Sequence, residues 1–426
     1  MSAFQDALSS EIQRRPALLQ LATGLARRIS PVWVFGHTVV ALGSDAVREV
    51  FDRADEFELG PVAHHKMLLG PFLLGMDPRQ QYLDERKLLG EVLERLQPRL
   101  EEIAREKANE AHARLEEKIE RHRGATIEVV SEFTEPVVTG IASVFFGVPF
   151  PDTQRSRFVS GTGERLLTAW LRKVGSVISS TSPAPFGLQR VAECCAIELG
   201  HYLDAVIAAR RESGERKADV LGHLLELETA QGWHPWRVRA NLAGLMLAGS
   251  TALVKSFALA LHQLFVKRPP DRRSRYWRSR HEEAIAAAKR GALDELKALM
   301  FEALRFETPF PILVRYCPRA TTLGQGERAR KVPAGSTVYA VQFAAMFDEL
   351  VEDADTFSER RPPAHYLHFG SGRHGCLGRR VAETELTEML RAFLTLPGME
   401  RAKPRRIRYD GPAVHRFPIR VPGAAS

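Results

Sequence analysis

Cys376 stands inside the run Phe369-Gly370-Ser371-Gly372-Arg373-His374-Gly375-Cys376-Leu377-Gly378, with Ala382 following four residues later. The glycine-rich stretch ends where a helical pattern begins, so a helix is predicted from Cys376 to about Leu396. A thiol at a helix N-terminus lies beside free amides and the positive end of the helix dipole, and both favour thiolate. Thiolate is the form of cysteine that ligates iron. Glycines let the backbone pass close to a flat ligand and aim amides at the sulfur, which tunes a bound metal. The other cysteines, Cys194, Cys195 and Cys317, show no C-x-x-C spacing. A disulfide framework is therefore not expected, and a reducing compartment is.

A second constellation is Glu302-Ala303-Leu304-Arg305. Residues three apart share a helix face, so this carboxylate and guanidinium can pair. Phe357-x-x-x-Arg361-Pro362 lies between that pair and the cysteine. In this order the motifs resemble those of the cytochrome P450 family. Its haem-binding signature, F-G-x-G-x-H-x-C-x-G-x-x-x-A, is filled at every fixed position by Phe369, Gly370, Gly372, His374, Cys376, Gly378 and Ala382, and its E-x-x-R by Glu302 and Arg305. The resemblance covers residues 30–420 and is to the soluble bacterial type. It implies a mostly α fold with small β-sheets around a buried haem b, and Cys376 as axial ligand. An axial thiolate on haem pushes electron density towards O–O cleavage. It also implies that Glu302, Arg305 and Arg361 (or Arg360) form a buried network supporting the cysteine loop. The haem propionates need cations or hydroxyl donors, and the family's positions for these fall on His374, on Arg315, and on Tyr82 with Arg86. At the last site, after Gly75-Met76-Asp77-Pro78, tyrosine replaces the usual histidine.

The oxygen-activating motif of the family, A-G-x-D/E-T, corresponds to Ala248-Gly249-Ser250-Thr251-Ala252. Ala248 and Gly249 match, with Gly249 opening the helix over the cofactor. Thr251 stands for the acid and Ala252 for the threonine. A proton relay must therefore use Thr251 or Ser250 with water, or a substrate hydroxyl. Three chemistries follow: a monooxygenase with a substituted relay, a peroxide-driven peroxygenase, or rearrangement of a lipid hydroperoxide. A non-catalytic haem carrier or sensor is the rival outside enzymes.

These residues need a scaffold. Val32 to Leu42 is read as two short strands around a Gly-His turn, and Ser44 to Phe51 as a serine-capped helix. Helices are predicted over 98–122, 132–146, 190–211, 218–231, 238–265 and 282–306, with a strand at 126–130 and a loop over 174–187. Beyond Thr308 the pattern turns to short strands. No linker or repeat divides the 426 residues, so one domain over 1–426 is expected. Apolar content of 44% and charged content of 26% are those of a globular protein. Met1 to Arg28 has no signal-peptide run, and the most apolar segment, Leu242 to Phe265, carries Ser250, Lys255 and His262. A cytoplasmic protein without a membrane span is the expectation. A net charge of +8 without a basic stripe interleaved with aromatics excludes nucleic acid as a partner.

The cluster Lys267, Arg268, Arg272, Arg273, Arg275, Arg278 and Arg280 could dock an acidic ferredoxin. Ferredoxin and a ferredoxin reductase using NAD(P)H are the electron source that the resemblance implies. An apolar small-molecule substrate (a lipid, terpene or polyketide-like compound) is expected between Glu58 to Leu74, the loop near Val174 to Phe186, Leu245 to Ala252, and Pro309 to Leu313.

Overall fold

The computed structural model describes residues 15–60, 68–77, 79–122, 124–179, 185–268, 279–349, 351, 353–410 and 413–422. Helix α1 (Pro16–Ile29) leads into a hairpin of β1 (Val32–Phe35) and β2 (Thr38–Ala41), followed by α2 (Ser44–Asp52). Helices α3 (Gln80–Arg95) and α4 (Gln97–Arg121) run on to β3 (Thr126–Glu128). Then come α5 (Glu135–Phe146), α6 (Glu164–Ile178), α7 (Phe186–Ser213), α8 (Val220–Gln231) and α9 (Pro235–Phe265). After α10 (His281–Arg290) and α11 (Leu293–Phe306) the chain turns to β4 (Leu313–Cys317), β5 (Thr321–Leu323), β6 (Arg330–Val332) and β7 (Ser336–Ala340). The short α12 (Gln342–Ala345) and the long α13 (Arg379–Leu394) precede β8 (Lys403–Pro404), β9 (Arg408–Asp410), β10 (Ala413–Arg416) and β11 (Pro418–Arg420). The chain is about 60% helical, and its strands form small sheets. The largest has the order β1-β2-β7-β4, with β2 and β7 parallel and the other pairs antiparallel.

Helix α9 is the axis of the core. It starts with Pro235, tolerated in a first turn because no intrahelical acceptor exists for its missing N–H. Its apolar residues run all round, as a buried helix requires. Phe257 meets Phe133 at 5.4 Å and Phe393 of α13 at 5.7 Å, and all three rings are fully buried. This is the described helix long and apolar enough to cross a membrane, yet 67% of its most apolar window is buried inside the protein. Its apolarity is explained by the core.

The structure departs from the sequence expectation at several ends. Ser44 does not cap α2; Gly43 occupies the N-cap, and the Ser44 amide donates to Asp348 Oδ2 at 2.7 Å. The strand at 126 stops at Glu128, and Val130–Thr134 make one π-helical turn before α5. The single helix expected over 282–306 is two. It breaks at Gly291, whose φ of +68° a side chain would disfavour. Residues 174–178 belong to α6 and residues 186–187 to α7, so the loop expected over 174–187 is helix at both ends, and 180–184 lie outside the described residues. Helix α13 starts at Arg379, three residues beyond Cys376.

Candidate functional site

The cysteine loop is a set of backbone turns closed on itself. The Gly370 amide donates to Leu367 O at 2.8 Å, Gly375 to Gly372 O at 3.0 Å, and Cys376 to Phe369 O at 2.8 Å. Gly372 is required twice over: its φ is +66°, and a Cβ there would run into the Phe51 carbonyl of α2. Cys376 is left with exposed surface, and that surface faces an internal chamber of ≈ 320 Å³. Burial pushes its thiol above the usual range, while the Gly378 amide, Arg86 and Arg379 pull it back. The expectation that the helix opens at Cys376 is corrected: the cysteine lies three residues ahead of α13, and burial opposes the pull of the amide and the cations on its thiol.

The chamber gathers most of the side chains singled out by motif. Tyr82, Arg86, Gly249, Ser250, Arg315, Phe369, Gly370, His374 and Gly378 all line it with Cys376. Tyr82 and Arg86, one turn apart on α3, clasp the cysteine loop: Tyr82 donates to Arg373 O at 2.7 Å, and Arg86 to Gly375 O at 2.6 Å. The Tyr82 and His374 rings are 5.1 Å apart. Arg315, on β4, is buried, and its guanidinium donates to the carbonyl of neighbouring Val314 at 2.9 Å. Burial lowers it to about 10, against smaller pulls from Asp77 and Tyr82. It is a cation inside the protein without a carboxylate in ion-pair range among the described residues.

The roof comes from α9, where Leu245, Met246, Ala248, Gly249, Ser250, Ala252, Leu253 and Ser256 face the chamber. Thr251 does not. Successive helix residues turn by about 100°, so Thr251 points out of the roof towards α6 when Ala252 points in. Its hydroxyl lies where a Cβ on Gly175 would collide with it. Of the two residues expected to relay protons with water, Thr251 does not line the chamber itself but lies on the far side of the roof. Of the expected pair, only Ser250 lines the chamber, and it donates to Leu247 O at 3.4 Å. Two titratable lining residues were not singled out from sequence. Glu385 of α13 is raised to about 8 by burial alone. His368 is lowered to about 3, with burial the larger cause and Arg379 adding to it. Each sits within a few residues of the signature, which is the signal that could have found it.

The chain matches the Cytochrome P450 family model over residues 25–396. It belongs to the cytochrome P450 family. It is 27% identical over 358 residues to the mycinamicin IV hydroxylase/epoxidase of Micromonospora griseorubida, covering 82% of this chain and 79% of that protein. It is 26% identical to the vitamin D3 dihydroxylase of Streptomyces griseolus, over 75% of this chain and 68% of that one. Among solved structures it shares the fold of the versatile cytochrome P450 enzyme CYP109B1 from Bacillus subtilis, with a TM-score of 0.71 at 19% identity over 94% and 98% of the two chains. The protein is thus a P450-type monooxygenase, an oxidoreductase whose cofactor is haem b.

The residues present fit that cofactor. A flat, largely apolar group with two carboxylates suits a chamber that presents a thiol, the ring of Phe369, a glycine loop and the uncompensated Arg315. The P450 E-x-x-R pair is fully buried: Arg305 holds Glu302 at 2.7 and 2.9 Å and donates to the carbonyls of Met346, Ala354 and Thr356. Glu302 also accepts from the Ser358 amide at 2.9 Å and the Tyr366 hydroxyl at 3.2 Å, and faces Arg361 at 3.4 Å. Arg361, not exposed Arg360, completes the network. The basic cluster is corrected in part. Arg268 turns inward over Phe306 at 4.3 Å, and Arg280 is buried against Glu283 at 2.8 Å. Lys267 is exposed, and Arg272, Arg273, Arg275 and Arg278 lie outside the described residues. Phe186 is exposed at the start of α7 and does not line the chamber.

Proposed function

We propose that Cys376 would ligate the haem iron and that one oxygen atom of dioxygen is inserted into an apolar small molecule held in the chamber it faces. The overall change balances as R–H + O2 + 2 e⁻ + 2 H⁺ giving R–OH and water. Bound haem supplies the oxygen-activating chemistry; the protein supplies the rest. Arg315 and His374 would hold the propionates, with Arg86 and Tyr82 keeping the cysteine loop in place beside them. The substrate lies against Phe72, Leu245, Met246, Pro309, Phe310 and Leu313, which exclude water and offer it no charged partner. A lipid, terpene or polyketide-like compound suits that wall, and the relatives named for mycinamicin IV and vitamin D3 support an apolar substrate. Electrons come from an external ferredoxin and its NAD(P)H-dependent reductase. The observation that carries the reading is that the signature cysteine exposes its surface to the same chamber that the Ala248–Leu253 roof covers.

The test is the reduced carbon-monoxide difference spectrum of wild type and Cys376→Ala. Wild type should show the thiolate-type band and the variant should lose it; a surviving band would remove Cys376 as ligand. Turnover with ferredoxin, reductase and NAD(P)H is then compared with turnover on peroxide alone. Activity confined to peroxide would replace dioxygen as oxidant in favour of the peroxygenase or hydroperoxide-rearranging alternative.

A further inference from the structure

Resting on the monooxygenase reading above, we infer that Glu135 of α5 delivers protons to the chamber through a cleft beside α9, by way of water held on Thr251 and the hydroxyl of Ser250. The cleft measures ≈ 20 Å³ and is lined by Glu135, Thr139, Thr168, Arg172, Ser250 and Thr251, with apolar residues closing the rest. A space of this size holds one water when several polar groups surround it. Thr251 lines it, and its Oγ1, buried against Gly175, has no hydrogen-bond partner, which is costly unless a water reaches it. Ser250 lines this cleft and the chamber alike, so it bridges the two.

The three helices build the cleft for this use. Glu135 and Thr139 are one turn apart on α5, and Thr168 and Arg172 one turn apart on α6, so two rows of polar side chains face each other. Arg172 Nη1 donates to Glu135 Oε1 at 3.0 Å, and the two threonine hydroxyls are 2.9 Å apart. Thr168 already donates to Glu164 O at 2.9 Å, so in that pair Thr139 is the donor. Gly175 of α6 leaves room for the Thr251 hydroxyl. Burial raises the Glu135 carboxyl above the usual range, against Arg172 of α6 and His415 of β10, which makes it a better proton donor near neutrality. The half-exposed edge of Arg172 keeps Glu135 in reach of solvent. Glu135 thereby stands, on a different helix, for the acid that α9 lacks at Thr251.

The transfer involves O–H bonds only. Glu135 gives a proton to the cleft water, the water gives one to Ser250 Oγ, and Ser250 releases its own into the chamber. Glu135 regains a proton from solvent, and the electrons arrive separately from the external donor.

The test uses the haem-loaded enzyme. A crystal structure should show a water bonded to Thr251 Oγ1 between Glu135 and Ser250. Glu135→Gln and Thr251→Val should each lower product formed per NAD(P)H at least about fivefold, a modest share of a general-acid effect, with hydrogen peroxide rising in its place. Glu135→Asp should stay near wild type. The carbon-monoxide band and melting temperature separate this from misfolding, and Thr251→Val spares the ion pair if Glu135→Gln unfolds. Wild-type coupling in both variants, or a cleft without that water, overturns the path. Wild type that makes no product with the donor chain refutes the monooxygenase reading instead, and the crystal structure still decides the path.

Discussion

Arg315→Met should move the haem-free and haem-loaded protein in opposite directions. In the haem-free chain the guanidinium is buried with its hydrogen bond to a neighbouring carbonyl, and burial lowers it to about 10, well below its ordinary range. That displacement corresponds to roughly 3 kcal/mol of desolvation carried by the charged form. Methionine forfeits the bond to Val314 and the contact with the Phe51 ring at 5.7 Å, so the net gain is about 2 kcal/mol. With unfolding entropy near 2.1 cal/mol/K per residue, a chain of 426 residues gains about 2 °C in melting temperature from that. In the loaded enzyme the same change removes a charge-assisted hydrogen bond to a propionate, worth about 1.5–3 kcal/mol. Transfer of haem to an excess of scavenger protein should therefore quicken roughly ten- to hundredfold. Urea melts of the haem-free chain and haem-transfer kinetics read the two effects separately. A variant that destabilises the haem-free chain and retains haem like wild type would refute Arg315 as an uncompensated cation awaiting an anion.

Glu302→Gln leaves Arg305 and Arg361 buried without their carboxylate, at a cost of about 3–5 kcal/mol, and should lower the melting temperature by several degrees in a thermal scan. Glu385, raised to about 8 in the fold by burial, binds a proton there that the unfolded chain releases earlier. Its contribution is fully present below about pH 4.5 and is lost as pH rises through about 8. Glu385→Gln should flatten the fall of urea stability over that window, which parallel titrations of both proteins will show. Gly372→Ala forces a side chain into a left-handed position against the Phe51 carbonyl, costing about 2 kcal/mol or more, and should cut the yield of haem-loaded protein measured by the carbon-monoxide band.

What was legible in the chain follows from how locally each feature is encoded. The cysteine loop is a run of consecutive residues whose glycines answer to backbone angles, so its shape follows from its order. Glu302 and Arg305 are one helical step apart, and their pairing needs only α11. Tyr82 and Arg86 likewise share a face of α3, although the carbonyls they bind, Arg373 and Gly375, are distant in sequence. Helix ends are less locally encoded. Gly291 breaks a stretch through which alanine and charge run as in one helix, and α6 continues across residues whose serine and glycine suggest a loop.

Facing was the harder matter, and it decides the chemistry. Aligning Thr251 with the family's acid says which turn of α9 it occupies, but not what the other side of that turn touches. In the fold that side meets Gly175 and the cleft beside Glu135, a residue more than a hundred positions away. No spacing rule connects them; only the packing of α5, α6 and α9 does. The same holds for Cys376, which lies three residues ahead of α13 and whose thiol answers to burial as well as to the nearby amide and cations. It holds again for Arg268 and Arg280, basic in the sequence and turned towards aromatic rings and a carboxylate in the fold. The loss of the acid and alcohol on α9 therefore does not by itself imply loss of proton delivery. If a neighbouring helix supplies the carboxyl, Glu135→Gln should uncouple this enzyme as loss of the acid on α9 would uncouple a relative that keeps it.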